Sequence, residues 1–302
     1  MLTSYYSSGT NYTELIHLTH FIMPVIKKTE QVALTIAGSD PSGGAGIQAD
    51  LKTFTVIGVY GGAVISCLTA QNTQGVFAIQ PVQAALVKKQ IDHVLSDLNV
   101  THIKIGMIGS DEVAESICDA LTDYAGEIIY DPVLISSSGH ELINPKGYDA
   151  IRRQLLPICT VLTPNVPELS MLSEKKCSTK DTLHNATVKL FQLYERLRSV
   201  IITGGHFKPE ENVITDFMFK GHGKIRQADC EEVSHPRIAS NNTHGTGCTF
   251  SAAFTAYHLL TGDDSEAFRK AAMYMDNLIR NSVSARIGHG TGPLMHHLKF
   301  PG

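Results

Sequence analysis

The sequence lacks the features that mark several large classes of protein. It has no excess of basic residues, since 25 Lys and Arg are opposed by 29 Asp and Glu, for a formal net charge of −4. That balance gives no reason to expect nucleic acid or an anionic membrane as a partner. No apolar run approaches the roughly 18 residues that a membrane span needs. We therefore expect a soluble globular protein that acts on a nucleotide or small metabolite.

Paired or clustered cysteines are also missing. The six cysteines are spread along the 302 residues without a CxxC pair, at positions 67, 118, 159, 177, 230 and 248. Scattered cysteines in a chain of this length are typical of reduced thiols in a cytoplasm. We therefore expect a cytoplasmic protein in which most of these cysteines are plain core residues.

The first thirty residues differ from the rest of the chain. Their start is polar and rich in Ser, Thr and Tyr, and it lacks the basic beginning and apolar stretch of a secretory signal. We expect residues 1–30 to be a poorly ordered N-terminal extension. Residues 31–302 contain no internal repeat, low-complexity tract or linker, and this predicts a single domain.

From residue 31 onward, short β-branched runs alternate with helical patterns. Strands are predicted at 32–38, 62–70, 101–108, 127–135, 159–164 and 199–205. Between them, residues 81–98 place apolar side chains on one helical face, and Ser110 is a good N-cap for another helix. Residues 212–233 predict a β-hairpin, and two long helices follow within 245–287. The pattern predicts an α/β fold with a mainly parallel central sheet flanked by helices.

Ligands of such folds bind at the carboxyl ends of the strands, where the glycine-rich segments of this chain lie. The segment GSDPSGGAGIQAD, residues 38–50, fits G-x-G-x-x-A, but a dinucleotide site also needs an acidic residue about 20 positions on. There is no Asp or Glu between Leu51 and Ile91, and no G-x-x-x-x-G-K-[ST] anywhere. These absences argue against a nicotinamide dinucleotide site and a P-loop. Asp50 stays open as a solvated carboxylate or a ligand.

The segment HGTGC, residues 244–248, is a stronger candidate site. Gly245 and Gly247 can adopt backbone angles that other residues avoid, so that consecutive N–H groups can point at one spot. The run TFSAAFTAYHLL that follows predicts a helix whose positive end faces the same spot. The segment therefore predicts an anion cradle. In that field, we expect the thiol pKa of Cys248 to be lowered from about 8.5.

Three interpretations of Cys248 stay open at this point. It could be a nucleophile, a proton acceptor, or a plain buried cysteine at a helix start. A cysteine hydrolase needs an orienting His that the fold brings from elsewhere, so the sequence does not exclude one. No G-x-S-x-G or G-x-C-x-G elbow is present, however.

The segment TPNVPELS, residues 163–170, follows a predicted buried strand. Asn165 and Glu168 have the spacing of a capping box at a helix start, which needs no metal. The same oxygens would also suit Mg²⁺, a hard cation that takes oxygen ligands, often through water. Asp131, at the end of EIIYD, is another carboxylate at a strand end. Together with an anion cradle, these donors suggest phosphoryl transfer from a magnesium nucleotide.

Several of these motifs resemble one known family. They are ALTIAGSDPSGGAGIQADLKTF, LTAQNTQGV, KIGMIGS, LTPNVPE, GGH and NTHGTGCTFSAA, in this order along residues 33–253. The sequence resembles the hydroxymethylpyrimidine/phosphomethylpyrimidine kinases of thiamine biosynthesis, which belong to the ribokinase-like superfamily near the pyridoxal kinases. The resemblance covers about residues 32–298, and the extension 1–30 lies outside it.

This resemblance implies a ribokinase-like three-layer sandwich, usually a homodimer, that uses ATP and Mg²⁺. It implies a pyrimidine pocket formed by Gly38, Asp50, Gln71, Met107 and Val133. It implies an anion hole at Gly245, Thr246 and Gly247, with Cys248 as the base that takes the proton of the substrate hydroxymethyl group. It implies a magnesium site at Asn165, Glu168 and Asp131. It implies ATP contacts from Thr203, Gly205, His206 and Thr243.

The chain departs from the family pattern at Thr203. The family often has KGGH where this chain has TGGH, and the missing lysine is associated with the ATP phosphates. Loss of a cation there would weaken charge stabilisation in the transition state, unless Lys104, His206 or Lys208 compensates. The resemblance thus implies an ATP-dependent kinase of 4-amino-5-hydroxymethyl-2-methylpyrimidine and its monophosphate. A pyridoxine/pyridoxal kinase and a catalytically weakened ligand-binding protein are the alternatives.

Overall fold

A computed structural model describes residues 31–134, 143–207, 211–222 and 227–298. The predicted extension 1–30 lies outside these residues, so its expected disorder stays a prediction. The described residues from 31 onward group into one compact unit. Within the described part of that unit, no helix is long and apolar enough to cross a membrane.

The described residues form one sheet of nine strands. The strands are β1 (Val32–Ser39), β2 (Tyr60–Asn72), β3 (Gly75–Pro81), β4 (Val100–Ile105), β5 (Glu127–Tyr130), β6 (Val161–Leu162), β7 (Ser199–Ile202), β8 (Val213–His222) and β9 (Gln227–Pro236). Their spatial order is β3-β2-β1-β4-β5-β6-β7-β8-β9. Strands β2, β1, β4, β5, β6 and β7 are neighbours in this order and run parallel to one another. Strands β3, β8 and β9 are added at the two edges as antiparallel strands. The predicted mainly parallel sheet and the predicted hairpin are confirmed.

Strand β3 was not predicted from the sequence. It pairs only with β2, at one edge of the sheet, and none of its residues is buried. A run of apolar residues, which is the pattern used to predict strands, is typical of buried strands. An exposed edge strand such as β3 lacks this pattern.

Eight α-helices of the described residues cover the sheet. They are α1 (Gly46–Ile57), α2 (Ala84–Asp97), α3 (Asp111–Leu121), α4 (Pro145–Ala150), α5 (Val166–Ser173), α6 (Lys180–Leu193), α7 (Thr246–Thr261) and α8 (Asp264–Ser282). The Ser110 hydroxyl accepts a hydrogen bond from the Val113 N–H, so the predicted N-cap of α3 is confirmed. The two long helices predicted within 245–287 are α7 and α8.

Alternate residues of the central strands enter two separate cores. Ile128 and Tyr130 of β5 belong to a core that they share with α2, α3, α5 and α6, whereas Ile129 packs on the opposite face with α7 and α8. Phe54 of α1 is buried on that second face as well. Because successive strand residues point to opposite faces, one sheet serves both cores. This is the expected three-layer arrangement.

The parallel strands bring their carboxyl ends to one edge of the sheet. Strand β1 leads there into the turn before α1, and β5, β6 and β7 end just before Asp131, Thr163 and Thr203. Polar and glycine residues that are far apart in the sequence therefore meet at this edge, which is where α/β folds bind ligands.

Candidate active site

A cavity of about 230 Å³ opens at the carboxyl edge of the sheet. Its walls contain most of the residues that the sequence singled out: Gly38, Gln71, Met107, Asp131, Val133, Asn165, Glu168, Thr203, Thr243, Gly245, Thr246, Gly247 and Cys248. Asp50 and Gly205 are not among the lining residues. Lys208 and the side chain of His206 lie outside the described part of the chain.

Helix α7 begins at this cavity after a left-handed glycine. Gly245 has a φ of 80°, and a Cβ atom there would lie 1.8 Å from the carbonyl oxygen of Gly44, so that only glycine fits. Gly247 lies inside the first turn of α7, where its φ is not left-handed. The left-handed angle that glycine permits is thus used at Gly245 and not at Gly247. A Cβ atom at Gly247 would meet nothing within 4 Å, so its side of the cavity is open.

The starts of two helices face the same part of the cavity. The N-cap residues of α1 and α7, Ala45 and Gly245, provide no side-chain cap, and neither helix has an acidic residue in its first turn. Gly46 of α1 hydrogen-bonds through its backbone to the Cys248 thiol of α7. First-turn N–H groups without a side-chain cap and two positive helix ends would favour an anion here.

The protonation state of Cys248 differs from the sequence expectation. Burial raises the pKa of the Cys248 thiol to about 12, and the Lys104 ammonium only partly opposes this effect. The expected lowering of this pKa is therefore wrong for the protein without ligands. A helix field lowers a thiol pKa only when it outweighs the loss of water around the thiolate, and here it does not.

A buried ion pair lies behind the cavity wall. Lys104 of β4 is fully buried, and its Nζ lies 3.0 Å from Asp50 Oδ2 of α1 and 3.8 Å from Asp131 Oδ2. Asp50 Oδ2 also accepts a hydrogen bond of 2.6 Å from the hydroxyl of Thr35. Burial alone would lower the pKa of Lys104, but the Asp50 carboxylate raises it well above its usual range. Asp50 therefore holds the Lys104 cation in place, and the structure does not bring Asp50 to the pocket surface.

Carboxyl groups on the opposite wall could hold a cation. Asn165 and Glu168 form the predicted capping box, in which each side chain accepts a backbone N–H of the other residue at 2.9 Å. Burial raises the pKa of Glu168 to about 8 and that of Asp131 to about 6. Asp131 Oδ2 and Thr163 Oγ1 are buried without a hydrogen-bond partner.

These oxygens fit Mg²⁺, because a cation would favour the ionised carboxylates and contact an Asp131 oxygen that has no hydrogen-bond partner. Within the described ranges, no three His, Cys, Asp or Glu side chains are grouped closely enough to hold a metal by themselves. A magnesium ion here would therefore also need oxygens from water or from a bound phosphate.

Among the described residues, none takes the place of the lysine that the family often has at the position of Thr203. Thr203 lines the cavity directly after β7 and bridges to Asn165. Lys104 is held by Asp50 and Asp131 behind the wall and is not among the lining residues. Lys104 therefore does not occupy the place of the family lysine.

Sequence reasoning missed a polar chain on the wall near Gln71. His244 Nε2 lies 2.8 Å from Asp40 Oδ2 and 3.2 Å from the side-chain amide of Gln71. Thr69 continues the chain on the other side of Gln71. Asp40 and His244 are 204 positions apart, so only the folded chain reveals their contact. The one available signal was that turn chemistry alone did not explain an aspartate at position 40.

Comparison with known proteins assigns the family. The sequence signature of the family described as phosphomethylpyrimidine kinase matches residues 40–295. This chain belongs to that family. A hydroxymethylpyrimidine/phosphomethylpyrimidine kinase of Rhizobium meliloti is 39% identical over 265 residues, which are 88% of this chain and 96% of the relative.

Solved structures agree with this assignment. The crystal structure of a phosphomethylpyrimidine kinase from Clostridium difficile matches with a TM-score of 0.69 and 36% identity, over 81% of this chain and 97% of that one. A Staphylococcus aureus pyridoxal kinase in complex with AMP-PCP and pyridoxal matches with a TM-score of 0.75 and 28% identity, over 88% and 93% of the two chains. The fold is therefore ribokinase-like, and the chain has kinases of two ring types as structural neighbours.

The buried ion pair yields a prediction on stability. Replacing Lys104→Met should lower the free energy of unfolding by about 3–5 kcal/mol, because Asp50 would be buried without its cation. Urea denaturation at pH 7 measures this loss. The matched control is Lys88→Met, which breaks the exposed Lys88–Asp92 pair on α2 and should lose no more than about 0.5 kcal/mol. Equal losses in the two variants would contradict the structural role of Lys104.

The Cys248 thiol yields a prediction on pH dependence. Without ligands, the rate of alkylation of Cys248 by iodoacetamide should rise about tenfold per pH unit from pH 7 to pH 9.5 without levelling off. The reason is that burial raises its pKa to about 12, so that only a minute thiolate fraction is present at neutral pH. Peptide mass spectrometry follows the site, with Cys248→Ser as the assignment control. A plateau near pH 8 would instead show a lowered pKa.

Proposed function

We propose that this protein is an ATP-dependent kinase that phosphorylates 4-amino-5-hydroxymethyl-2-methylpyrimidine and its monophosphate in thiamine biosynthesis. One observation carries the proposal. A single cavity joins an anion cradle at two helix starts, a thiol beside the cradle, and a polar wall at Gln71. The family assignment and the names of the relatives support the same reaction.

The pyrimidine ring would lie between Gln71, Met107 and Val133, with Gly38 at its edge. A Cβ atom at Gly38 would come within 2.9 Å of Cys67 Sγ and 3.4 Å of Met107 Sδ, so that glycine keeps this wall in place. The hydroxymethyl group would then point towards Cys248 and the cradle. The assignment of Asp50 changes accordingly: it acts from behind the wall, through Lys104, rather than on the ring.

The cradle would stabilise the phosphoryl group as it is transferred. The donors would come from the first turns of α7 and α1, which begin at Thr246 and Gly46 and whose N-cap residues provide no side-chain cap. Such preorganised donors stabilise charge that develops in the transition state, and positioning supplies most of the remaining rate enhancement. Phosphoryl transfer requires little covalent chemistry from the protein.

Cys248 would accept the proton of the substrate hydroxyl. Because the thiol is neutral in the protein without ligands, it must first release its own proton to solvent, and the Lys104 ammonium lowers the free energy of the resulting thiolate. Asp131 and Asp50 oppose that effect through their negative charge. A bound cation that compensates Asp131 would therefore favour the thiolate.

Mg²⁺ and ATP complete the proposed site. Glu168, Asn165 and Asp131 would hold Mg²⁺ through water, and the ion would neutralise the phosphate oxygens of ATP. Thr203, Gly205, His206 and Thr243 would lie along the nucleotide. A depression of about 610 Å³, lined by residues 239–242, 283 and 285–290, begins next to Thr243 and could take the nucleoside. The AMP-PCP complex of the S. aureus pyridoxal kinase supports a nucleotide in this fold.

A pyridoxine/pyridoxal kinase is the second candidate, because the pyridoxal kinases of S. aureus share the fold with TM-scores of 0.75–0.76. The third candidate is a catalytically weakened ligand-binding protein, because Thr203 stands where the family often has a lysine. The rate of ATP turnover with each ring distinguishes both candidates from the first proposal.

Turnover with each ring tests these proposals. In a coupled ADP-release assay, the aminopyrimidine should stimulate ATP turnover in the presence of Mg²⁺, and pyridoxal should do so much less. Omission of Mg²⁺ should abolish turnover. Cys248→Ala should lower kcat by about 10²–10⁴, the usual contribution of a general base. Full activity in Cys248→Ala would remove the base assignment alone, whereas no stimulation by either ring would remove the kinase proposal.

A homodimer stays our proposal for the assembly. The edge hairpin β2–β3 exposes large apolar side chains, with Phe77 69% and Tyr60 63% accessible. Exposed apolar groups of this size favour a protein partner. Light scattering should show a dimer for the wild type and a shift to monomer in Phe77→Glu. The control Leu193→Glu, at an exposed position of α6, should remain dimeric.

We also place the protein in the cytoplasm, where ATP is available and thiols stay reduced. All six cysteines are free, and four of them are buried. Reduced buried cysteines are typical of that compartment. Cell fractionation checks this placement.

A further inference from the structure

A short 3₁₀ turn, Gly204–His206, follows Thr203 directly at the carboxyl edge of the sheet. Thr203 lines the cavity and is the N-cap residue of this turn, but it provides no side-chain cap. Its own N–H donates to the carbonyl oxygen of Pro164 at 3.3 Å, beside Asn165. The turn is thus joined through Thr203 to the wall that contains the candidate magnesium ligands.

Asp216 of β8 supplies the cap that Thr203 lacks. The N–H of Gly204 donates to Asp216 Oδ1 at 2.7 Å, and both residues are buried. A Cβ atom at Gly204 would lie 2.0 Å from the carbonyl oxygen of Thr215, so the turn packs directly on the backbone of β8. A hydrogen bond to a carboxylate is about twice as strong as one between neutral groups. Asp216 therefore fixes the first residue of the turn.

His235 of β9 contacts the other oxygen of this carboxylate. Its Nε2 lies 3.4 Å from Asp216 Oδ2, and the two side chains are diagonal neighbours in the β8–β9 ladder, where His235 pairs with Ile214. The Asp216 carboxylate raises the pKa of His235 above its ordinary value, and the charge of Asp276 on α8 adds to this effect. Asp276 is itself paired with Arg280. Asp216 is therefore the main partner of the His235 imidazolium.

The carbonyl side of the turn is held by the same hairpin. Arg237, which follows β9, donates from Nη1 to the carbonyl oxygen of Gly205 at 3.2 Å and from Nε to that of Glu211 at 2.9 Å. This contact is exposed, whereas the one between Gly204 and Asp216 is buried. A buried hydrogen bond is electrostatically stronger, so Asp216 has the larger effect on the turn.

The position of this turn matters more in this chain than it would with a lysine at position 203. A lysine ammonium is carried by a flexible stem of four carbons and can follow a phosphate. Threonine and backbone groups contact a ligand only from the place where the backbone holds them. A displacement of about 1 Å is enough to weaken such contacts strongly.

We propose that Asp216, held by His235, is a positioning residue that fixes the turn Gly204–His206 and thereby sets the affinity of the site for ATP. This inference rests on the proposed function, because it assumes that ATP lies along Thr203 and Gly205. Asp216 acts only through the turn and touches neither substrate.

The first test measures KM for ATP and for the aminopyrimidine in Asp216 variants. Asp216→Ala leaves the buried Gly204 N–H without its acceptor and should raise KM for ATP by about 10- to 100-fold, the usual effect of a displaced positioning group. KM for the aminopyrimidine should change less than threefold. Asp216→Asn retains an acceptor oxygen and should recover most of the affinity for ATP. The control Asp229→Ala, at an exposed position of β9, should change neither KM.

Two results of this test would overturn the proposal. One is an unchanged KM for ATP in Asp216→Ala. The other is an equal rise of both KM values, because a general loss of structure would affect the two substrates alike.

The second test needs no turnover and decides the matter if Asp216→Ala does not fold. Calorimetric titration with AMP-PCP and Mg²⁺ should show a Kd that is about three- to tenfold higher in His235→Ala than in the wild type, the usual net effect of one lost hydrogen bond. An unchanged Kd would overturn the proposal, as would a wild type that does not bind AMP-PCP. If the wild type binds AMP-PCP but phosphorylates neither ring, the proposed function fails, and a raised Kd in His235→Ala still supports the positioning role.

Discussion

The close approach of two glycine turns organises this molecule. The carbonyl oxygen of Gly44, in the turn between β1 and α1, occupies the space that a side chain at Gly245 would need. This contact joins residues that are 201 positions apart and brings together the starts of α1 and α7. It brings Gly46 to the Cys248 thiol and His244 to Asp40. The anion cradle, the candidate base and the wall that faces the ring thus depend on one backbone contact that only glycine permits.

Around this contact, burial and charge act against each other. Desolvation keeps the Cys248 thiol neutral and raises the pKa of Asp131 to about 6 and that of Glu168 to about 8. Lys104 stays charged because Asp50 lies 3.0 Å away. The cavity without ligands therefore has carboxyl groups that a magnesium ion would ionise and a thiol that a nearby cation would activate. Binding of the metal nucleotide and activation of the base would be coupled through these charges rather than through a movement of the chain.

Much of this arrangement could be predicted from the sequence, and what could not has a physical reason. Buried strands, the hairpin, the Ser110 cap and the Asn165–Glu168 capping box follow from local patterns. The edge strand β3 lacks a buried face and so lacks the pattern. The pKa of Cys248 depends on tertiary burial, which a helix start in the sequence does not reveal. The place of Asp50 behind the wall depends on Lys104, 54 positions away, and the Asp40–His244 contact spans 204 positions. Local chemistry was therefore predictable, whereas contacts between distant segments were not.

The fold alone does not decide which ring is bound, since kinases named for pyrimidine and for pyridoxal substrates match this chain with similar TM-scores. The side chains that distinguish the two rings in this fold must do so through polar contacts. The rings are similar in size, and apolar contacts discriminate poorly between them. A side-chain amide has this property, since reversing it exchanges donor and acceptor without changing the shape of the pocket. Its orientation then has to be fixed by the protein, as a freely rotating amide would accommodate both rings. On the wall of this cavity, the Gln71 amide lies 3.2 Å from His244 Nε2 and 3.2 Å from the Thr69 hydroxyl, and it is the amide that can act in this way.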